Sequence, residues 1–110
     1  MPSDREASQA STSKVHFALQ EGFANEEVHI HCNDVNLYKK ENVTTDIRYG
    51  LADSFEVTLQ DGMNRVKISL PKRSIDQEFQ IQSRSPQYVG ISLEDGDLKL
   101  KFSDEPFGYL

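Results

Sequence analysis

The chain has 110 residues, a formal net charge of −6 from 18 acidic and 12 basic side chains, and 36% hydrophobic residues. That length suits one domain and is too short for two well-packed cores. The charge repels phosphate backbones and anionic lipid, which argues against nucleic acid and membrane surfaces as partners, and the single cysteine, Cys32, excludes an internal disulfide or a multi-cysteine metal cage.

Met1 to Ser13 is rich in Ser, Ala and Gln and has no apolar periodicity. A disordered N-terminal arm is expected over 1–13 and one folded domain over 14–110. The arm lacks the apolar centre of a secretory leader, and no apolar run approaches the ~20 residues of a membrane span, so a soluble, cytoplasmic protein is expected.

From Lys14 onward apolar and polar residues alternate, and a period of two means a strand with one dry and one wet face. Lys14 to Gln20 places Val15, Phe17 and Leu19 on the dry face. Glu21 to Asn25 breaks the beat, and Glu27 to Cys32 resumes it with Val28, Ile30 and Cys32. Asn33-Asp34 is a turn pair, because both side chains tolerate left-handed backbone and bond to it, so Val35 to Lys39 is expected to form a hairpin with its predecessor. Val43 to Tyr49 reads as a further strand with Val43, Thr45, Ile47 and Tyr49 on one face.

After a connection at Gly50 to Asp53, Ser54 to Gln60 carries Phe55, Val57 and Leu59. Asp61-Gly62 is a hairpin signal, and Asn64 to Leu70 returns with Val66, Ile68 and Leu70 until Pro71, which has no amide proton to give a ladder. Ile75 to Gln82 is a weaker strand with Ile75, Phe79 and Ile81 inward. Gln87 to Leu93 carries Val89, Ile91 and Leu93; a second hairpin signal at Glu94 to Asp97 leads to Leu98, Leu100 and Phe102. No segment repeats its apolar residues at helical spacing.

The expected fold is therefore all-β, an antiparallel β-sandwich of Greek-key type with about eight short strands. Short strands set around the Asp61-Gly62 and Asp95-Gly96 turns resemble immunoglobulin-like and transthyretin-like sandwich modules. Such modules serve mostly as binding, spacer or assembly units, and the resemblance implies a role of that kind.

Several side-chain groups could carry chemistry. His29 and His31 share the wet face of one strand and His16 the wet face of another. Pairing of those two strands around Gly22 to Ala24 would set His16 across from them, as a three-histidine metal site with an open fourth position. Their bland alternative is three polar residues on a solvated sheet. Acidic loops around Asp95-Gly96-Asp97 are explained by turn chemistry and lack the spacing of a calcium loop. No nucleophile–base pair is placed together by spacing, so no enzyme and no cofactor is expected.

Tyr38 and Tyr88 fall out of phase with the inward rows of their strands and are expected to be exposed, as a protein-contact anchor or a sugar-stacking platform. The sequence closes on Phe107-Gly108-Tyr109-Leu110. This apolar run is expected either to dock over an open end of the core or to serve as a docking peptide. The expected function is a non-catalytic module that binds protein through Tyr38, Tyr88, Phe107, Tyr109 and Leu110. Metal binding through His16, His29 and His31 and carbohydrate binding through the tyrosines are the alternatives. A monomer or weak homodimer is expected, since lysines on the strands discourage edge pairing.

Overall fold

The computed structural model describes residues 12–83 and 87–108. Its strands are β1 (Thr12–Leu19), β2 (Glu26–Cys32), β3 (Val35–Val43), β4 (Asp53–Gln60), β5 (Gly62–Leu70), β6 (Ile75–Ser83), β7 (Gln87–Glu94) and β8 (Asp97–Ser103). They form two four-stranded sheets, β4-β1-β7-β8 and β3-β2-β5-β6. The helical content of the described residues is one 3₁₀ turn, Pro71–Arg73, between β5 and β6. The all-β sandwich expected from the alternation is the fold observed.

The arm expected over 1–13 runs two residues too far into the chain. Thr12 and Ser13 already belong to β1, and the Ser13 hydroxyl donates to Asp61 Oδ1 at 2.5 Å; the rest of the expected arm lies outside the described residues.

Alternation places Val15, Phe17, Leu19, Val89 and Ile91 inward from one sheet and Val28, Ile30, Val66, Ile68 and Leu70 inward from the other, and all are fully buried. Removing these rows from water is the dominant favourable contribution to folding, at about 1.5–3 kcal/mol per large side chain. Aromatic contacts close the two sides of the sandwich. Tyr38 on β3 stacks on Phe55 of β4 at 4.7 Å between centroids, and Phe55 in turn stacks on Phe17 at 5.1 Å. On the opposite side Phe79 of β6 meets Phe102 of β8 edge-on at 5.8 Å.

The connectivity departs from a run of hairpins. β1 does not pair with β2: it lies between β4, antiparallel with Phe17 opposite Phe55, and β7, parallel with Phe17 opposite Val89. Glu21 to Asn25 instead carries the chain from one sheet to the other, and its backbone is tied to β7 by the Leu93 amide donating to the Glu21 carbonyl at 2.8 Å. A parallel pair therefore sits within the otherwise antiparallel sandwich.

The Asp61-Gly62 signal likewise marks a crossing and not a hairpin, since β4 and β5 belong to different sheets. The reason lies three residues on. The buried Asn64 amide donates to the Gln60 carbonyl at 2.9 Å and the Gly62 carbonyl at 3.3 Å, so a side chain holds an arch where a hairpin would need strand pairing.

The hairpins that do form are β2–β3, β5–β6 and β7–β8. Asn33 and Asp34 have φ of 49° and 69°, and Asp95 and Gly96 have 52° and 82°. Positive φ at both central residues is what the twist of a tight two-residue hairpin requires.

The expected strand over Val43 to Tyr49 is not formed. β3 runs on to Val43, and the chain then loops through an isolated bridge between Asp46 and Leu51. Ile47 is 91% exposed and Tyr49 50%. Local polar bonds outbid the ladder here: the Thr45 hydroxyl donates to the Gln20 carbonyl at 2.7 Å and accepts the Phe23 amide at 3.0 Å, and Asp46 accepts from the Arg48 side chain at 2.7 Å.

Candidate functional site

The outer face of the β4-β1-β7-β8 sheet gathers more of the expected contact residues than any other surface. Register sets His16 beside Glu56 on one side and Tyr88 on the other. The imidazole and phenol rings stack face to face, 4.5 Å between centroids and 13° from parallel, and His16 Nε2 lies 3.0 Å from Glu56 Oε2. The glutamate orients the imidazole, and the imidazole covers one face of Tyr88. Tyr88 is thus partly covered rather than free.

The next row along these strands is small: Ala18 lies opposite Ser54 and Gly90. Gly90 leaves room for the Gln20 side chain, whose Oε1 atom would stand 2.6 Å from a Cβ at this position. Glycine inside a strand often marks such a close approach. The result is a trough across the sheet.

The C-terminal segment folds back into this trough. The Ser103 hydroxyl accepts the Glu105 amide at 3.0 Å and donates to the Glu105 carbonyl at 2.8 Å, which turns the chain before Pro106. Phe107 then meets Tyr88 edge-on at 6.5 Å, with the Lys101 ammonium 5.6 Å from its ring centre. Its docking place is therefore the outer face of a sheet, not an open end of the core. Tyr109 and Leu110 lie outside the described residues.

Phe107 borders a groove on either side. One, of about 300 Å³, is walled by His16, Tyr88 and Phe107 with Ala18 and Ser54 beneath. The other, of about 370 Å³, is more polar and includes Gln20, Tyr49, Ser92, Lys99 and Lys101. Sequence reasoning found Tyr88, His16 and Phe107 separately but not their association. The available signal was the pair of small residues, Ala18 and Gly90, at wet-face positions where polar side chains are usual.

Tyr38 does not join this surface. Its ring packs on Phe55 and its hydroxyl donates to Asp53 Oδ2 at 2.7 Å. Burial, followed by that bond and the charge of Asp53, pushes the Tyr38 hydroxyl well above its usual pKa. The residue seals the side of the sandwich, because the register shift between Ile30 and His31 sets Tyr38 opposite the inward-facing Ile30 and turns it onto the core, reversing the phase the alternation suggested. Tyr38 and Tyr88 consequently do not make one platform.

Nor are the histidines brought together. His16 belongs to one sheet, while His29 and His31 project from the outer face of the other. The expected grouping depended on β1 pairing with β2, and β1 pairs with β4 and β7 instead. His29 Nε2 meets Glu27 Oε2 at 2.8 Å; His31 Nε2 is 3.4 Å from Asn36, and its buried Nδ1 has no hydrogen-bond partner. Among the described residues no group of three or more His, Cys, Asp or Glu side chains is arranged to hold a metal ion. Cys32 is buried in the core, as its phase requires, and burial raises its thiol pKa against a smaller opposing pull from Arg65.

No protein-family model matches the chain, and a search of curated proteins gives no match. Among the described residues no helix is long and apolar enough to cross a membrane.

Proposed function

We propose that this domain is a non-catalytic protein-binding module. It takes an extended, apolar-anchored segment of a partner polypeptide in the groove that His16, Tyr88 and Phe107 wall over Ala18 and Ser54. The observation that carries the reading is Phe107, an apolar side chain laid against Tyr88 with a groove on each side of it. The groove beside His16 is the one suited to an apolar anchor, since aromatic walls and a small-residue floor admit a side chain at little cost in desolvated polar groups. His16 works here as a wall held by Glu56. The domain's one thiol is buried and its pKa is raised, which keeps it inert.

The test is a selection from a displayed random-peptide library, followed by amide and methyl chemical-shift mapping of the selected peptides. Shifts concentrated on His16, Ala18, Ser54 and Tyr88, and lost in Tyr88→Ala, support the reading. Peptides that map to the His29–His31 face, or a library yielding no binder while glycans shift Tyr88, would overturn it.

A further inference from the structure

Independently of the trough, we infer that the free edge of β6 is a self-association site, pairing antiparallel with β6 of a second copy of this chain. The edge strands of the sandwich are β4 and β8 in one sheet and β3 and β6 in the other. Two of them carry blocking features: β8 presents Lys99 and Lys101, and β3 shifts register at two places along β2. β4 is covered only at its first residue, Asp53, by the Tyr38 hydroxyl and the Lys40 ammonium, 2.7 and 3.2 Å away. Lysines and irregularities of this kind protect sheet edges from new strands.

β6 has none of them. It is nine residues long, Ile75 to Ser83, contains no lysine or proline, and stays in unbroken register with β5 from Leu70–Ile75 to Gly62–Ser83. Its exposed face carries carboxylates at one end, Asp76 and Glu78, and amides at the other, Gln80 and Gln82.

That polarity matches a two-fold axis. Centred on Phe79, the middle of the strand, an antiparallel pair sets each Asp76 opposite a Gln82 and each Glu78 opposite a Gln80. Carboxylates then accept from amides across the junction, and no like charges face each other although the chain is acidic overall. On the inner face the two Phe79 rings become neighbours at the axis. Each already contacts Phe102, which is 48% exposed at this side of the sandwich and would gain cover. The two β3-β2-β5-β6 sheets would run on as one.

The experiment is sedimentation of the whole chain over about 10 µM to 1 mM, the range in which a small, single-strand interface associates. Mass should rise with concentration. Gln82→Lys sets a cation opposite Asp76 twice across the axis and should tighten association about three- to tenfold, whereas Gln82→Glu should weaken it by a similar factor. Gln82 is exposed and its neighbour on β5 is Met63, so both variants keep the fold. A chain that stays monomeric throughout the range overturns the inference. So does a dimer that both variants change in the same direction, or whose amide exchange protection appears on β4 or β8 instead of β6.

Discussion

Replacing Gly22 with alanine gives the sharpest stability prediction, because it tests how β1 leaves its sheet. Gly22 has φ of +92°, and a Cβ there would stand 1.7 Å from the backbone carbonyl oxygen of Leu93. A side-chain-bearing residue in the left-handed region costs about 1–2 kcal/mol on its own. Relieving the overlap requires the end of β7 to withdraw by more than an ångström, which breaks the Leu93-to-Glu21 hydrogen bond and loosens a buried leucine. Those losses add roughly 2–3 kcal/mol, for a total of about 3–5 kcal/mol.

Gly96→Ala is the matched control. Its φ is +82°, but nothing lies within 4 Å of the added carbon, so only the backbone cost of about 1–2 kcal/mol applies. In thermal and urea unfolding monitored by circular dichroism, Gly22→Ala should lower Tm by roughly 15 °C or more and Gly96→Ala by about 5–10 °C. Equal losses for the two variants would refute the close approach of the Glu21–Asn25 crossing to β7.

Asn64→Ala should cost about 2–4 kcal/mol in the same assay, since the buried amide holds the Gln60 and Gly62 carbonyls and accepts from Asn33 at 3.0 Å; a loss below 1 kcal/mol would remove it as the brace of the arch. Stability should also depend on Asp53 at acid pH. Burial raises its carboxyl pKa, but bonds from the Tyr38 hydroxyl, the Lys40 ammonium and the Ser54 amide outweigh that and hold it below its usual value. A folded-state pKa below the unfolded one gives stability that is present above the unfolded value near 3.8 and lost as pH falls through the folded value. Asp53→Asn should therefore flatten the decline in urea midpoint below about pH 4, and an unchanged slope would contradict the assignment.

Period-two alternation was enough to place β1, β2 and β4 to β8 and their buried rows, because burying one face of a strand leaves a direct imprint on the sequence. Pairing left no such imprint. Whether β1 pairs with β2 or with β7 depends on contacts about seventy residues apart in the chain, and turn chemistry at Asp61-Gly62 reads alike for a hairpin and for an arch braced by Asn64. Val43 to Tyr49 alternates as well as any strand here, yet Thr45 and Asp46 spend their side chains on nearby backbone and on Arg48. The site suffered from the same blindness: Tyr88 and Phe107 were visible as unplaced aromatics, but only the parallel register of β1 with β7 lays His16 on Tyr88.

That register is open to one direct observation, the through-space proton contacts of the His16 ring in a nuclear Overhauser spectrum of the labelled chain. Cross-peaks from His16 to the Tyr88 ring, together with backbone contacts between Phe17 and Val89, are the predicted pattern. Cross-peaks from His16 to His29 or His31 would contradict it and return the first two strands to a single hairpin.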